Sequence, residues 1–178
     1  MWLLAGVNIP NVLDDVAWEN DRAAYRAYGP ALQEKGERAF GYDIWTKSVS
    51  EPVVEDRYDG DLNRGISYHV DHGNGMDCYA VGPTLGGGTA ALFPDSTIVY
   101  PYCYKDCEIL DNGPLRFTAK LVYNPLVVKG DSSVIETRII SLDKGSQLNK
   151  TVVSFDNLQE ITPVVTGIVF AQTESYGI

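Results

Sequence analysis

Apolar and polar positions alternate most clearly in the second half of the chain. Leu115, Phe117, Ala119, Leu121 and Tyr123 alternate with Arg116, Thr118 and Lys120, the two-residue period of a strand with one buried and one wet face. Residues 134–142 read as the next strand, with Ile135 and Ile139 facing one way and Glu136 and Arg138 facing opposite ways. Apolar runs at 148–155 and 163–170 extend the series, and runs at 66–70, 89–93 and 97–104 precede it. Turn chemistry separates them at Pro94-Asp95-Ser96, Asp111-Asn112-Gly113-Pro114 and Lys144-Gly145. Short strands at regular spacing predict an all-β antiparallel sandwich or barrel.

The first third is less regular. Residues 8–17 read as a loop leading into Trp18. Residues 18–30 read two ways: Asn20 is placed to cap a short helix that Gly29-Pro30 ends, yet Arg22, Ala24, Arg26 and Tyr28 also alternate as in a strand. Arg22 and Arg26 share a face either way. A short helix is expected within 31–40, a close grouping of Tyr42, Trp45 and Lys47 within 41–47, and a charged loop at 51–64. No linker or repeat divides the chain, so residues 1–178 are read as a single domain. It opens without a clear first strand and stops soon after an apolar one. A sandwich so bounded leaves open edges, and the domain is expected to be partial.

Composition narrows the function. The 178 residues are 44% hydrophobic and 21% charged, enough for a packed core. A net charge of −10 argues against nucleic acid as a partner. The apolar residues 1–7 are too short for a signal sequence or a membrane span, and no other run reaches membrane length. Eleven tyrosines and three tryptophans suit sugar binding as well as β packing. Cys78, Cys103 and Cys107 are odd in number and include no Cys-x-x-Cys pair, so they read as small buried thiols and not as a zinc ribbon.

Candidate chemistry concentrates at 67–88 (SYHVDHGNGMDCYAVGPTLGGG), a glycine-rich stretch holding both histidines of the chain, His69 and His72. Histidine exchanges a proton near neutrality, at an unperturbed pKa of roughly 6.5. Asp71 is placed to orient one ring, and Tyr79 or Tyr68 to carry the opposite proton. His69, Asp71, His72 and Asp77 are donors that suit a divalent metal, but their spacing matches no established motif, so no cofactor is expected. Gly82 to Gly88 lacks the Gly-Lys-Ser/Thr ending of a phosphate loop and reads as a tight bend.

Several ordered motifs carry a resemblance. They are Trp18-Glu19-Asn20-Asp21-Arg22 with Ala24-Tyr25-Arg26-Ala27-Tyr28-Gly29-Pro30, Tyr68-His69 through Thr84-Leu85-Gly86, Leu110-Asp111-Asn112-Gly113-Pro114-Leu115-Arg116, and Glu136-Thr137-Arg138 through Ser146-Gln147-Leu148-Asn149. Together they resemble a bacterial family of unknown function found in secreted proteins of polysaccharide-utilisation loci, especially in Bacteroidetes. The resemblance implies a galactose-mutarotase-like β-supersandwich, a periplasmic or secreted setting and work on plant or algal polysaccharide fragments. It also favours a strand over a helix for 18–28. Members of that family are longer, with a signal peptide and further strands, and Ala80 stands where the family motif carries a lysine.

The activity implied is elimination or dehydration on oligosaccharides containing uronic acid. His69, His72, Asp71 and Tyr79 are its catalytic candidates. Elimination beside a uronate also needs a cation to neutralise the carboxylate, for which Arg22, Arg26, Lys47 and Arg64 are candidates, while Trp45, Tyr68 and Asp77 complete a substrate-binding set. A non-catalytic carbohydrate-binding module and a mutarotase-type isomerase are the alternatives, and fold alone does not choose among them.

Overall fold

The computed structural model describes residues 5–9 and 14–170. The expectations for residues 1–4 and for the end of the chain at Gly177-Ile178 lie outside the described residues. Two antiparallel sheets pack face to face as an all-β sandwich. The first runs in the order β1 (Ala5–Ile9), β2 (Asp15–Glu19), β3 (Ala23–Ala27), β4 (Asp43–Thr46). The second runs β10 (Lys150–Asp156), β9 (Asp131–Asp143), β7 (Arg116–Tyr123), β6 (Tyr104–Asn112), with β8 (Leu126–Val128) paired to β9. A smaller ribbon pairs β5 (Gly87–Leu92) with β11 (Val164–Ile168).

The alternation in β7 places Phe117, Ala119, Leu121 and Tyr123 inward. They meet Val16, Trp18 and Tyr25 of the first sheet together with Ile140 and Leu142 of β9. The Trp18 ring stacks on Tyr25 at 5.8 Å and on Phe117 at 6.2 Å between centroids, and its indole N–H donates to Asn149 at 2.8 Å.

Several local expectations are corrected. Residues 8–17 are not one loop, because β1 and β2 occupy Ala5–Ile9 and Asp15–Glu19. Residues 18–28 form two strands joined by a turn in which Asn20 Oδ1 accepts from the N–H groups of Arg22 and Ala23. The charged stretch 51–64 is helical: α2 (Val54–Asp59) runs into a π-helical turn at Gly60–Arg64. Residues 66–70 form a turn and not a strand, and 97–104 contributes only the Leu92–Val99 bridge before β6 begins. Glu136 and Arg138 do not face opposite ways. Two residues apart on β9, they point inward together, with Arg138 Nε 2.5 Å from Glu136 Oε1. The short helix expected within 31–40 is α1 (Pro30–Glu34).

All of β2 and β3 is buried, on both faces. One face meets the second sheet. The other lies beneath α2 and the 65–77 loop, where Ala17, Ala24, Trp45, Val54 and Tyr58 form a second apolar cluster with Tyr68 against it. The candidate chemistry sits in this outer layer. No helix among the described residues is long and apolar enough to cross a membrane.

Candidate functional site

Strand register builds the centre of the outer layer. Arg26 on β3 is paired with Asp43 on β4 and Ala17 on β2, so its side chain leaves the sheet beside the Asp43 carboxylate. Asp43 Oδ2 accepts from Arg26 Nε at 3.0 Å, Arg26 Nη2 at 2.5 Å and the Trp45 indole N–H at 2.9 Å. Asp77 reaches the same guanidinium from the loop, Oδ2 lying 3.1 Å from Nη2. Its strand bridge to Trp45 and the bond from its N–H to the Tyr68 carbonyl hold it there. Asp15 on β2 lies 3.9 Å from Arg26 Nη1 and is fixed by the Gly29 N–H. The faces of Tyr28, Trp45 and Tyr68 surround the cation at 4.6, 5.2 and 5.7 Å.

Three carboxylates thus share one buried arginine. Desolvation pushes Asp15 up to about 6, against the pull of Arg26. Asp77 is likewise raised to about 6 by burial and by Asp43, against Arg26 and His69. Burial raises Tyr68 despite Arg26 beside it, so its hydroxyl keeps its proton at neutral pH.

Beside this cluster α2, the π-helical turn and the 66–75 loop enclose a cleft of about 250 Å³, lined by Arg57, Arg64, Tyr68, His72, Asn74 and Gly75 among others. His72 Nε2 lies 3.0 Å from the Ser67 carbonyl, which can only accept, so Nε2 carries the hydrogen and Nδ1 the lone pair. His69 sits outside the lining, with its ring 4.6 Å from Tyr68. Its Nδ1 donates to the Asp77 carbonyl at 3.2 Å and stands 3.6 Å from the Asp77 carboxylate, leaving Nε2 as its basic atom. The two imidazoles are held by different partners.

The remaining candidates divide by use. Asp71 Oδ1 accepts from the Gly73 and Gly75 N–H groups at 2.8 and 3.0 Å and shapes the loop. The Tyr79 hydroxyl lies 2.8 Å from the Gly86 carbonyl and 2.7 Å from that of Val169, tying the loop to the strand ribbon. Lys47 is spent internally, its Nζ 2.5 Å from Glu19. Arg64 is paired with Asp56 at 2.7 Å and Asp59 at 2.9 Å, yet it lines the cleft. Arg22 is exposed beside Asp21 and lines a separate groove with Gln147. Trp45 is a buried platform under Tyr68, 4.9 Å away.

Sequence reasoning missed Asp15, Tyr28, Asp43, Arg57 and Tyr58. For Asp43 a signal existed, since it shares a strand face with Trp45 two residues on. Arg57 and Tyr58 carried one too. Val53, Val54, Arg57 and Tyr58 have helical spacing, and all four are buried. No group of His, Cys, Asp or Glu among the described residues is arranged to hold a metal ion.

No solved structure matches the chain. It is similar to an uncharacterized protein, P7, of the bacterium Formosa agariphila, at 30% identity over 166 residues. The match covers 89% of this chain and 42% of the relative, so the chain spans less than half of that protein's length. The family model described as a domain of unknown function, DUF4861, matches residues 5–178, nearly all of the chain, and the protein belongs to that family.

Proposed function

We propose that this is a carbohydrate-active protein that takes oligosaccharides containing uronic acid and cleaves them by elimination in the cleft between α2 and the 66–75 loop. One observation carries the reading: His72 and Tyr68 line the same cleft, one with a free lone pair on Nδ1 and the other with a retained hydroxyl proton. In the step envisaged, His72 Nδ1 takes the proton from the carbon beside the uronate carboxylate. The released electron pair forms the carbon–carbon double bond, the bond to the departing oxygen breaks, and Tyr68 protonates that oxygen. His69 and Asp77 support Tyr68 from behind. No metal or cofactor enters the step, the partner is an oligosaccharide, and the resemblance suggests a periplasmic or secreted setting within polysaccharide utilisation.

The test is the absorbance of the unsaturated product over time on a panel of uronate oligosaccharides. Turnover should fall by roughly 10²-fold or more in His72→Ala and much less in His69→Ala. Full activity in His72→Ala would sink the reading. A non-catalytic binding module is the second reading. It is favoured by the number of polar candidates spent on building the site, Lys47, Asp71 and Tyr79 among them. Saturable binding without product would establish it.

A further inference from the structure

Elimination beside a carboxylate needs a cation to hold it, and the charged groups near the cleft are unequal in this respect. Arg26 is enclosed by three carboxylates, Lys47 is bound to Glu19, and Arg64 is paired with Asp56 and Asp59. Arg57 differs from all of them. It is 94% buried, being 6% exposed, and has no ion-pair partner among the described residues. Its Nη2 donates to the carbonyls of Thr46 and Asn74 at 3.0 and 2.6 Å, and its Nε lies 3.4 Å from Asn74 Oδ1. Nη1 has no hydrogen-bond partner among the described residues.

A buried guanidinium whose direct hydrogen bonds go only to neutral oxygens, with the Glu19, Asp71 and Asp77 carboxylates acting on it from beyond ion-pair distance, is costly unless an anion completes it. The fold holds Arg57 there all the same. Glu19 on β2 accepts from the N–H groups of Val53 and Val54, fixing the first turn of α2 and so the point from which Arg57 projects. Gly75 has φ +92°, and a Cβ there would stand 2.3 Å from the Thr46 carbonyl oxygen and 2.9 Å from Arg57 Nη2, so its bare backbone leaves room for the guanidinium. The Trp45 ring lies 5.8 Å from the Arg57 carbon centre.

We infer that Arg57 is an oxyanion-binding residue of this cleft, receiving the carboxylate or a sulfate ester of an acidic saccharide. The identity of the saccharide rests on the elimination reading; the anion site rests on Arg57 alone, and the two fail separately.

The experiment titrates the full chain with glucuronate and, separately, with inorganic sulfate, at constant ionic strength against chloride, reading tryptophan fluorescence because Trp45 adjoins Arg57. Saturable quenching by either anion is expected. Tighter binding of glucuronate would identify a carboxylate as the ligand, and tighter binding of sulfate a sulfate ester. Arg57→Lys keeps the charge but loses the planar fork, and it should weaken binding roughly tenfold or more with circular dichroism unchanged. Arg116→Gln, on the second sheet and paired there with Asp143, should leave binding close to wild type. If Arg57→Lys does not fold, the titration of the unaltered protein decides: no saturable response to either anion overturns the inference, as does unchanged affinity in a folded Arg57→Lys. Anion binding without any elimination product would retain the site and discard the catalytic reading.

Discussion

Asp77 Oδ2 stands 3.1 Å from Arg26 Nη2, joining the 65–77 loop to the first sheet by a buried, charge-assisted hydrogen bond. The loop carries both histidines, so the stability of this bond and the geometry of the candidate site are linked. Removing the cation would leave Asp15, Asp43 and Asp77 buried together with no counter-charge. Arg26→Met should therefore destabilise the protein by about 3–5 kcal/mol, the usual cost of breaking a buried ion pair from one side. Urea unfolding measures this, and an unchanged midpoint would show that the cluster neutralises itself by taking up protons.

The same carboxylates predict a pH dependence. Asp77 is raised from 3.8 to about 6 by burial and Asp43, while Arg26 and His69 pull it down. Between those values the folded protein binds more protons at this site than the unfolded chain does. Its contribution to stability is therefore full below pH 4, falls as the pH rises through the window, and is level above about 6. Asp77→Asn mimics the protonated form and does not titrate. Wild-type stability measured relative to Asp77→Asn should fall from pH 4.5 to 6.5, and a difference that is flat or rises with pH would contradict the assignment. Asp15, also raised to about 6, remains in both proteins and cancels.

Much of the sandwich was legible because its strands obey a two-residue period. Phe117, Ala119 and Leu121 point inward as their alternation demands, the chain turns at 144–145 as expected, and the turn after β6 falls at 113–115, because β6 runs on through Asp111 and Asn112. The outer layer was not legible, for two physical reasons. Ile66, Tyr68 and Val70 alternate as in a strand, but Tyr68 stacks on Trp45 while Ile66 and Val70 line the cleft, so tertiary packing replaced strand pairing. The first turn of α2 is held by Glu19, 34 positions before Val53, and no local capping signal announces the helix. Both arginines that matter most are visible in the sequence as residue types. What local pattern does not carry is the pairing that separates Arg26, enclosed by carboxylates, from Arg57, which has no ion-pair partner among the described residues.

Two loop glycines should respond differently to the same change. Gly73 and Gly75 both have positive φ, +95° and +92°. A methyl at Gly73 meets nothing within 4 Å, whereas at Gly75 it would collide with the Thr46 backbone. Gly73→Ala should cost only the conformational strain, about 1 kcal/mol. Gly75→Ala should cost clearly more and expose the 65–77 loop to proteolysis, because the backbone must move before the loop can dock. Thermal unfolding with limited proteolysis compares them, and equal effects would mean that this docking is not tight.

Tyr79 separates a structural part from a chemical one. By sequence it stands beside the histidines as a proton carrier. In the fold its hydroxyl hydrogen is shared between the Gly86 and Val169 carbonyls, fastening the loop to the β5–β11 ribbon. A hydroxyl so engaged is not free to protonate a departing oxygen, and Tyr68, which lines the cleft, is better placed. Tyr79→Phe keeps the ring and removes only the anchoring bond, so it should lower stability by about 1 kcal/mol. Its elimination rate should stay within about twofold of wild type, whereas Tyr68→Phe should lose roughly 10²-fold or more. A large rate loss in Tyr79→Phe with unchanged thermal stability would return the proton-carrying role to Tyr79.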